Sequence, residues 1–226
     1  MPTPLFRLFC VAAIAASGAA HAGVLELPQA KHVPECHGED GNSLECARGV
    51  EKAGLAKFGP ESVFRKGDTL RIRAANKWVV LKDSPPDSPS GVTYSYVMPI
   101  PALSAHLVHA QLYEGEGFLL VHAKTGAETF LDSVPVAAPG NKLFLSISNG
   151  LENPYSDNRI TVLSVSATRF AEQVQFALKW GPGQVEWAGP HRARIAKTCW
   201  SDASGDIKPC GSAILQQVAG QWQLRD

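Results

Sequence analysis

Apolar residues change their spacing near residue 60, and the change separates one helix from everything that follows. Over residues 43–58 (SLECARGVEKAGLAKF), Leu44, Val50, Leu55 and Phe58 fall near helical spacing. Ser43 is suited to the N-cap, and Gly59-Pro60 ends the run. One short helix is predicted there, weakened by Gly49 and Gly54, since a glycine costs a helix about 1 kcal/mol relative to alanine. Beyond it the period drops to two. In Thr69–Ala74 (TLRIRA), Leu70 and Ile72 alternate with Arg71 and Arg73, the mark of a half-buried strand, and Trp78–Lys82 returns as its hairpin partner. Residues 83–91 (DSPPDSPSG) read as a surface loop.

Strands follow at 91–97 and 106–113, with Pro99 and Pro101 expected to break the chain between them. Residues 116–124 and 127–131 form a hairpin signal around Thr125-Gly126. Further strands are predicted at 134–136, 142–148, 159–166, 174–180, 184–188, 192–196, 213–218 and 221–224. Three segments share a turn–strand–loop–strand cadence at intervals of about 45 residues, starting near Ala102, Val136 and Val185. Four antiparallel strands per unit is how a propeller blade is written. The expected class is therefore all-β, a propeller-like stack of antiparallel units with one N-terminal helix, and a β-sandwich is the alternative.

The first residues change the picture of where this domain works. Arg7 precedes an apolar run from Leu8 to Ala16, and small residues lead to Ala20-His21-Ala22. Met1–Ala22 thus reads as a cleavable signal peptide, with the mature chain starting at Gly23 in the periplasm or outside the cell. The expected organisation is residues 1–22 as signal, 23–60 as an arm and helix tied by a disulfide, and 61–226 as the β domain. No stretch is apolar enough to span a bilayer. Without Cys10, inside the signal, the cysteines are Cys36, Cys46, Cys199 and Cys210, which allow three pairings. Local closure, Cys36 with Cys46 and Cys199 with Cys210, is the cheapest to reach, each loop stabilising by roughly 2–3 kcal/mol. The 21 basic residues balance 21 acidic ones, which argues against a nucleic-acid binder.

The central run resembles a bacterial group of exported, uncharacterised propeller-like proteins. The resemblance is carried by YSYVMPIPALSAHLVHAQLYEGEGFLLVHAKTGAETFLDSVPV, by LENPYSDNRITVLSV and by WGPGQVEW, and covers about Gly91 to Trp187. Ala138-Pro139-Gly140-Asn141 stands where the group has a Ser-Pro-Asp-Gly blade turn. Glu152, Tyr155, Asn158 and Arg159 match the pattern, while Asp157 replaces a usual proline. The resemblance implies a propeller-like fold and export, and brings no activity.

Candidate chemistry is sparse. His106 and His109 lie three apart on a strand and point to opposite faces, while His122 could approach either, so a His–His–Glu metal site with Glu114 or Glu116 is the one constellation to test. No Gly-x-Ser-x-Gly elbow, phosphate-binding glycine loop or free mature cysteine is present, which argues against an enzyme and against a bound cofactor. The polar loop 149–158 (NGLENPYSDN) concentrates Asn149, Glu152, Asn153, Asp157 and Asn158, and its order fits no EF-hand. Glu152, Tyr155, Asp157 and Asn158 are the candidate interaction residues. Trp180 and Trp187 bracket Gly181-Pro182-Gly183, with Trp78, Trp200 and Trp222 elsewhere. The functional expectation is an exported, non-enzymatic binding or scaffold protein holding a protein or glycan partner in the cell envelope. A hydrolase of envelope polymers and a secreted enzyme inhibitor are the alternatives.

Overall fold

A computed structural model describes residues 43–59, 61–84, 88–113, 115–152 and 156–226. The signal-peptide expectation and Cys36 fall outside them. Helix α1 (Ser43–Phe58) is followed by fifteen strands in four antiparallel sheets, each a meander of consecutive strands. The first holds β1 (Val63–Lys66), β2 (Thr69–Ala74) and β3 (Lys77–Lys82). The second holds β4 (Val92–Ile100), β5 (Ala105–Leu112), β6 (Gly115–His122) and β7 (Glu128–Leu131). The third holds β8 (Val136–Ala137), β9 (Leu143–Ser148), β10 (Arg159–Val165) and β11 (Phe170–Ala177). The fourth holds β12 (Gly181–Gly189), β13 (Arg192–Ser201), β14 (Asp206–Val218) and β15 (Gln221–Arg225). The chain is all-β in class, a propeller-like stack of antiparallel units with one α-helix among the described residues. The three four-stranded units begin at residues 92, 136 and 181, close to the expected interval of about 45 residues, although the first starts at β4 rather than near Ala102.

Burial explains the two textures of strand. Three apolar cores join neighbouring sheets: Leu70, Ile72, Val79 and Leu81 meet Tyr96, Val108 and Val121, Leu107, Phe118 and Leu120 meet Phe144, Leu163 and Phe170, and Leu145, Ile160 and Val162 meet Trp180, Ile195 and Leu215. Sheets one and four bury a single face, so their strands alternate. The second sheet is buried on both faces, so residues 105–110 of β5 and 117–122 of β6 are buried without alternation.

Two expectations are corrected here. Pro99 does not break the chain, because β4 runs on to Ile100 as an edge strand, where a missing N–H is tolerated. Gly54 does not weaken α1 without return, because a Cβ there would lie 2.6 Å from the Val97 carbonyl oxygen. The glycine lets α1 lie against β4.

That free edge of β4 is closed by side chains rather than by another strand. Glu51, side chain 4% exposed, accepts a hydrogen bond from Tyr96 N at 2.9 Å. Its carboxylate also pairs with Arg65, Nη2 to Oε2 being 3.0 Å, and Arg65 Nε forms a second contact. Asp83 accepts from Tyr94 N at 2.9 Å and from Arg65 Nη1 at 3.0 Å, and Arg48 Nη1 donates to Tyr94 O at 2.8 Å. The ions thus supply the donors and acceptors that a neighbouring strand would have supplied.

Candidate binding surface

The polar loop between β9 and β10 is built by its asparagines. Asn158 Oδ1 accepts from Gly150 N at 2.8 Å, and Asn149 Nδ2 donates to Thr198 Oγ1 on β13 at 3.3 Å. A Cβ on Gly150 would meet the Ser156 carbonyl oxygen at 1.8 Å, so this closure needs glycine. Asn158, half-buried, thus ties the two ends of the loop together. Glu152 is exposed, Asp157 is exposed with its side chain 3.9 Å from Arg159, and Tyr155 lies outside the described residues.

Beside this loop the fourth sheet does something its sequence concealed. The strands expected at 192–196 and 213–218 extend to Ser201 and back from Asp206. β12 pairs with β13 only as far as Thr198, and β15 pairs with β14 only from Ile214 to Val218. The stretches Cys199–Ser201 and Asp206–Ser212 therefore project as a two-stranded ribbon. No residue from 199 to 212 is buried. The Cys199–Cys210 disulfide crosses the ribbon with Cα atoms 5.8 Å apart, as local pairing expected. Cys46 is also disulfide-bonded.

Trp200 stands on this ribbon opposite Ile207 and is 54% exposed. Leu151 and Glu152 from the loop, with Trp200, Gly205, Asp206 and Ile207 from the ribbon, line a cleft of about 560 Å³. The cleft brings an exposed indole together with the carboxylates of Glu152 and Asp206, so apolar contact area and hydrogen-bond acceptors share one lining. The sequence reading found one wall of the cleft through its density of polar residues and missed the other. The signal available was Trp200 lying inside a cysteine-closed loop. Trp180 and Trp187 belong instead to the core between sheets three and four, where Trp187 Nε1 donates to Val136 O at 3.1 Å.

The histidines are scattered by the sheet. His106 and His109 do face opposite sides of β5. His106 packs beside Tyr96, its Nδ1 3.2 Å from the phenol oxygen, and burial lowers its pKa below the usual imidazole value while raising that of Tyr96. His109 Nε2 donates to Glu116 at 2.8 Å, and Nδ1 is buried with no partner among the described residues. His122 does not approach it. It sits at the far end of β6, where Nδ1 accepts from Lys124 N and Thr125 N at 3.3 Å and Nε2 donates to Ser166 O at 3.4 Å. Glu114 lies outside the described residues. No group of three or more His, Cys, Asp or Glu placed to hold a metal ion occurs among the described residues, and no described helix is long and apolar enough to cross a membrane.

No family model matches this sequence, and no curated protein matches it at a significant level. Among solved structures, the chain overlaps with the N-terminal domain of Nup159, and with a complex of S. cerevisiae Dbp5 bound to Nup159, Gle1, IP6 and ADP. Each overlap has a TM-score of 0.33 and 11% identity, and covers 72% of this chain and 46% of the other. The chain thus spans under half of those neighbours' length, and an overlap this slight bears on neither fold nor function. The architecture rests on the strand pairing above.

Proposed function

We propose that this chain is an exported, non-enzymatic binding protein of a bacterial cell envelope, and that it holds a protein or glycan partner in the cleft between the 149–158 loop and the β13–β14 ribbon. The observation that carries the reading is Trp200, a large apolar side chain left 54% exposed on a ribbon of which only Cys199, half-buried, packs against a core. A two-stranded ribbon is marginal in water by itself, so extending the sheet this far has a cost that folding does not recover. A partner filling the cleft would bury the indole and use Glu152 and Asp206 as acceptors. Export is supported by the Arg7, Leu8–Ala16 and Ala20-His21-Ala22 pattern and by the even set of mature cysteines.

The test is affinity capture from detergent-solubilised envelope and periplasmic extract, with the oxidised protein and its Trp200→Ala variant as parallel baits. Saturable retention of a protein or polysaccharide that the variant loses supports the reading. Identical retention by both baits removes the cleft as the site.

A further inference from the structure

The two cysteines of the ribbon are unequally placed: Cys199 is half-buried, and Cys210 is exposed next to Gly211, whose φ is +118°. The register of β13 with β14 shifts beside them, pairing Lys197 with Gly211 and Thr198 with Pro209. Pro209 supplies no backbone donor. Beyond this irregularity the ribbon has only three paired positions, Cys199 with Lys208, Trp200 with Ile207 and Ser201 with Asp206. Three cross-strand pairs, with Cys199 alone packed half-buried against the third core, hold a hairpin only marginally. The covalent bond secures it, and of the two residues it joins Cys210 is the exposed one, the side from which a thiolate can approach.

We propose that the Cys199–Cys210 bond is a thiol-sensitive latch: a dithiol opens it, and opening releases the ribbon and dismantles the Trp200 face of the cleft. What the latch controls rests on the binding reading above; the latch itself does not. A dithiol's thiolate attacks Cys210 Sγ, the Sγ–Sγ bond breaks, and Cys199 leaves as a thiolate that takes a proton from water. The second thiol of the reagent attacks the mixed disulfide and releases Cys210 in the same way. Two electrons pass to the protein, and the dithiol ends as a disulfide. Reoxidation by a disulfide of higher potential reverses both steps. The release stays local, because Ala193, Ile195, Ala213 and Leu215 hold the rest of the sheet in the third core.

The test is a dithiothreitol titration of the oxidised chain, with iodoacetamide trapping, mass spectrometry and amide exchange on the same samples. The expected result is alkylation of Cys199 and Cys210 while β5 and β6 keep their protection. Exchange over residues 199–212 should rise on the order of 30-fold. The Cys199→Ser/Cys210→Ser variant should show that fast ribbon without reductant and respond no further at those residues. The latch is overturned if the bond survives until β5 and β6 lose protection, or if the reduced ribbon exchanges at its oxidised rate. Should the ribbon loosen as expected while wild type and Trp200→Ala capture the same molecules, the latch stands and the binding reading falls.

Discussion

The first and fourth sheets occupy equivalent places in the stack, each with one face in a core and one in water, yet they are finished by opposite means. Beside the first sheet, a helix and four ions seal the free edge of β4. In the fourth, two strands overrun their neighbours, and one covalent bond crosses an arm that only Cys199 ties to a core. Ion networks act only where many groups converge from several elements, so they make a region rigid as a whole. A staple acts on two residues and leaves its surroundings free. One end is built to stay shut, the other to present an arm.

The difference can be broken most severely at Glu51. Replacing it by Gln leaves the half-buried Arg65, with Arg48 beside it, short of its carboxylate and weakens the bond to Tyr96 N. A loss of about 3–5 kcal/mol is expected, read from urea unfolding. Glu51→Leu combined with Arg65→Leu should cost less than Glu51→Gln alone, because no uncompensated charge then remains at the centre of the cluster. Next comes Gly54→Ala, whose added methyl meets the Val97 carbonyl. A loss of about 1–3 kcal/mol is expected from the same measurement, opposite in sign to the usual helix preference for alanine.

A smaller effect tests the same region through pH. Burial holds the folded pKa of His106 below the unfolded value of about 6.5. The unfolded chain therefore binds the proton first, and stability falls as the pH drops below about 6.5 until the folded pKa is also passed. The slope from this residue cannot exceed about 1.4 kcal/mol per pH unit, and His106→Leu should remove it from a series of unfolding curves. Smallest of all, Trp200→Ala should change global stability by less than about 0.5 kcal/mol, since the indole lies outside every core. A larger loss would mean that the ribbon is part of the cooperative unit, and the contrast between the two ends would narrow.

Legibility in the sequence followed burial. Thr69–Ala74 was readable to the residue because its sheet has one wet face, so Leu70 and Ile72 alternate with arginines. The Gly115–His122 strand was found through its turn residues, since a strand buried on both sides shows no alternation. The ribbon escaped because its pairing depends on a disulfide: Trp200 and Ile207 are its main apolar residues, and Pro209 and Gly211 read as a loop. The β4 edge escaped for another reason. Arg48, Glu51, Arg65 and Asp83 come from three elements, and only Arg48 and Glu51 share one. Of the interaction loop, Glu152 was correctly placed at a surface. The tie that Asn158 makes to Gly150 was not legible, because an asparagine that closes a loop and one that only faces solvent look alike in sequence.

The meander order also has a consequence for how the chain reaches this state. Each sheet is complete within one contiguous stretch, so most pairing is local and folding can follow the chain as it emerges, sheet after sheet. Helix α1 is the exception. Its Glu51 meets Tyr96 across 45 residues of chain, so the charges made first wait until the second sheet begins. The N-terminal element thus docks out of turn, and the closing of the β4 edge is a late event for a segment that arrives early.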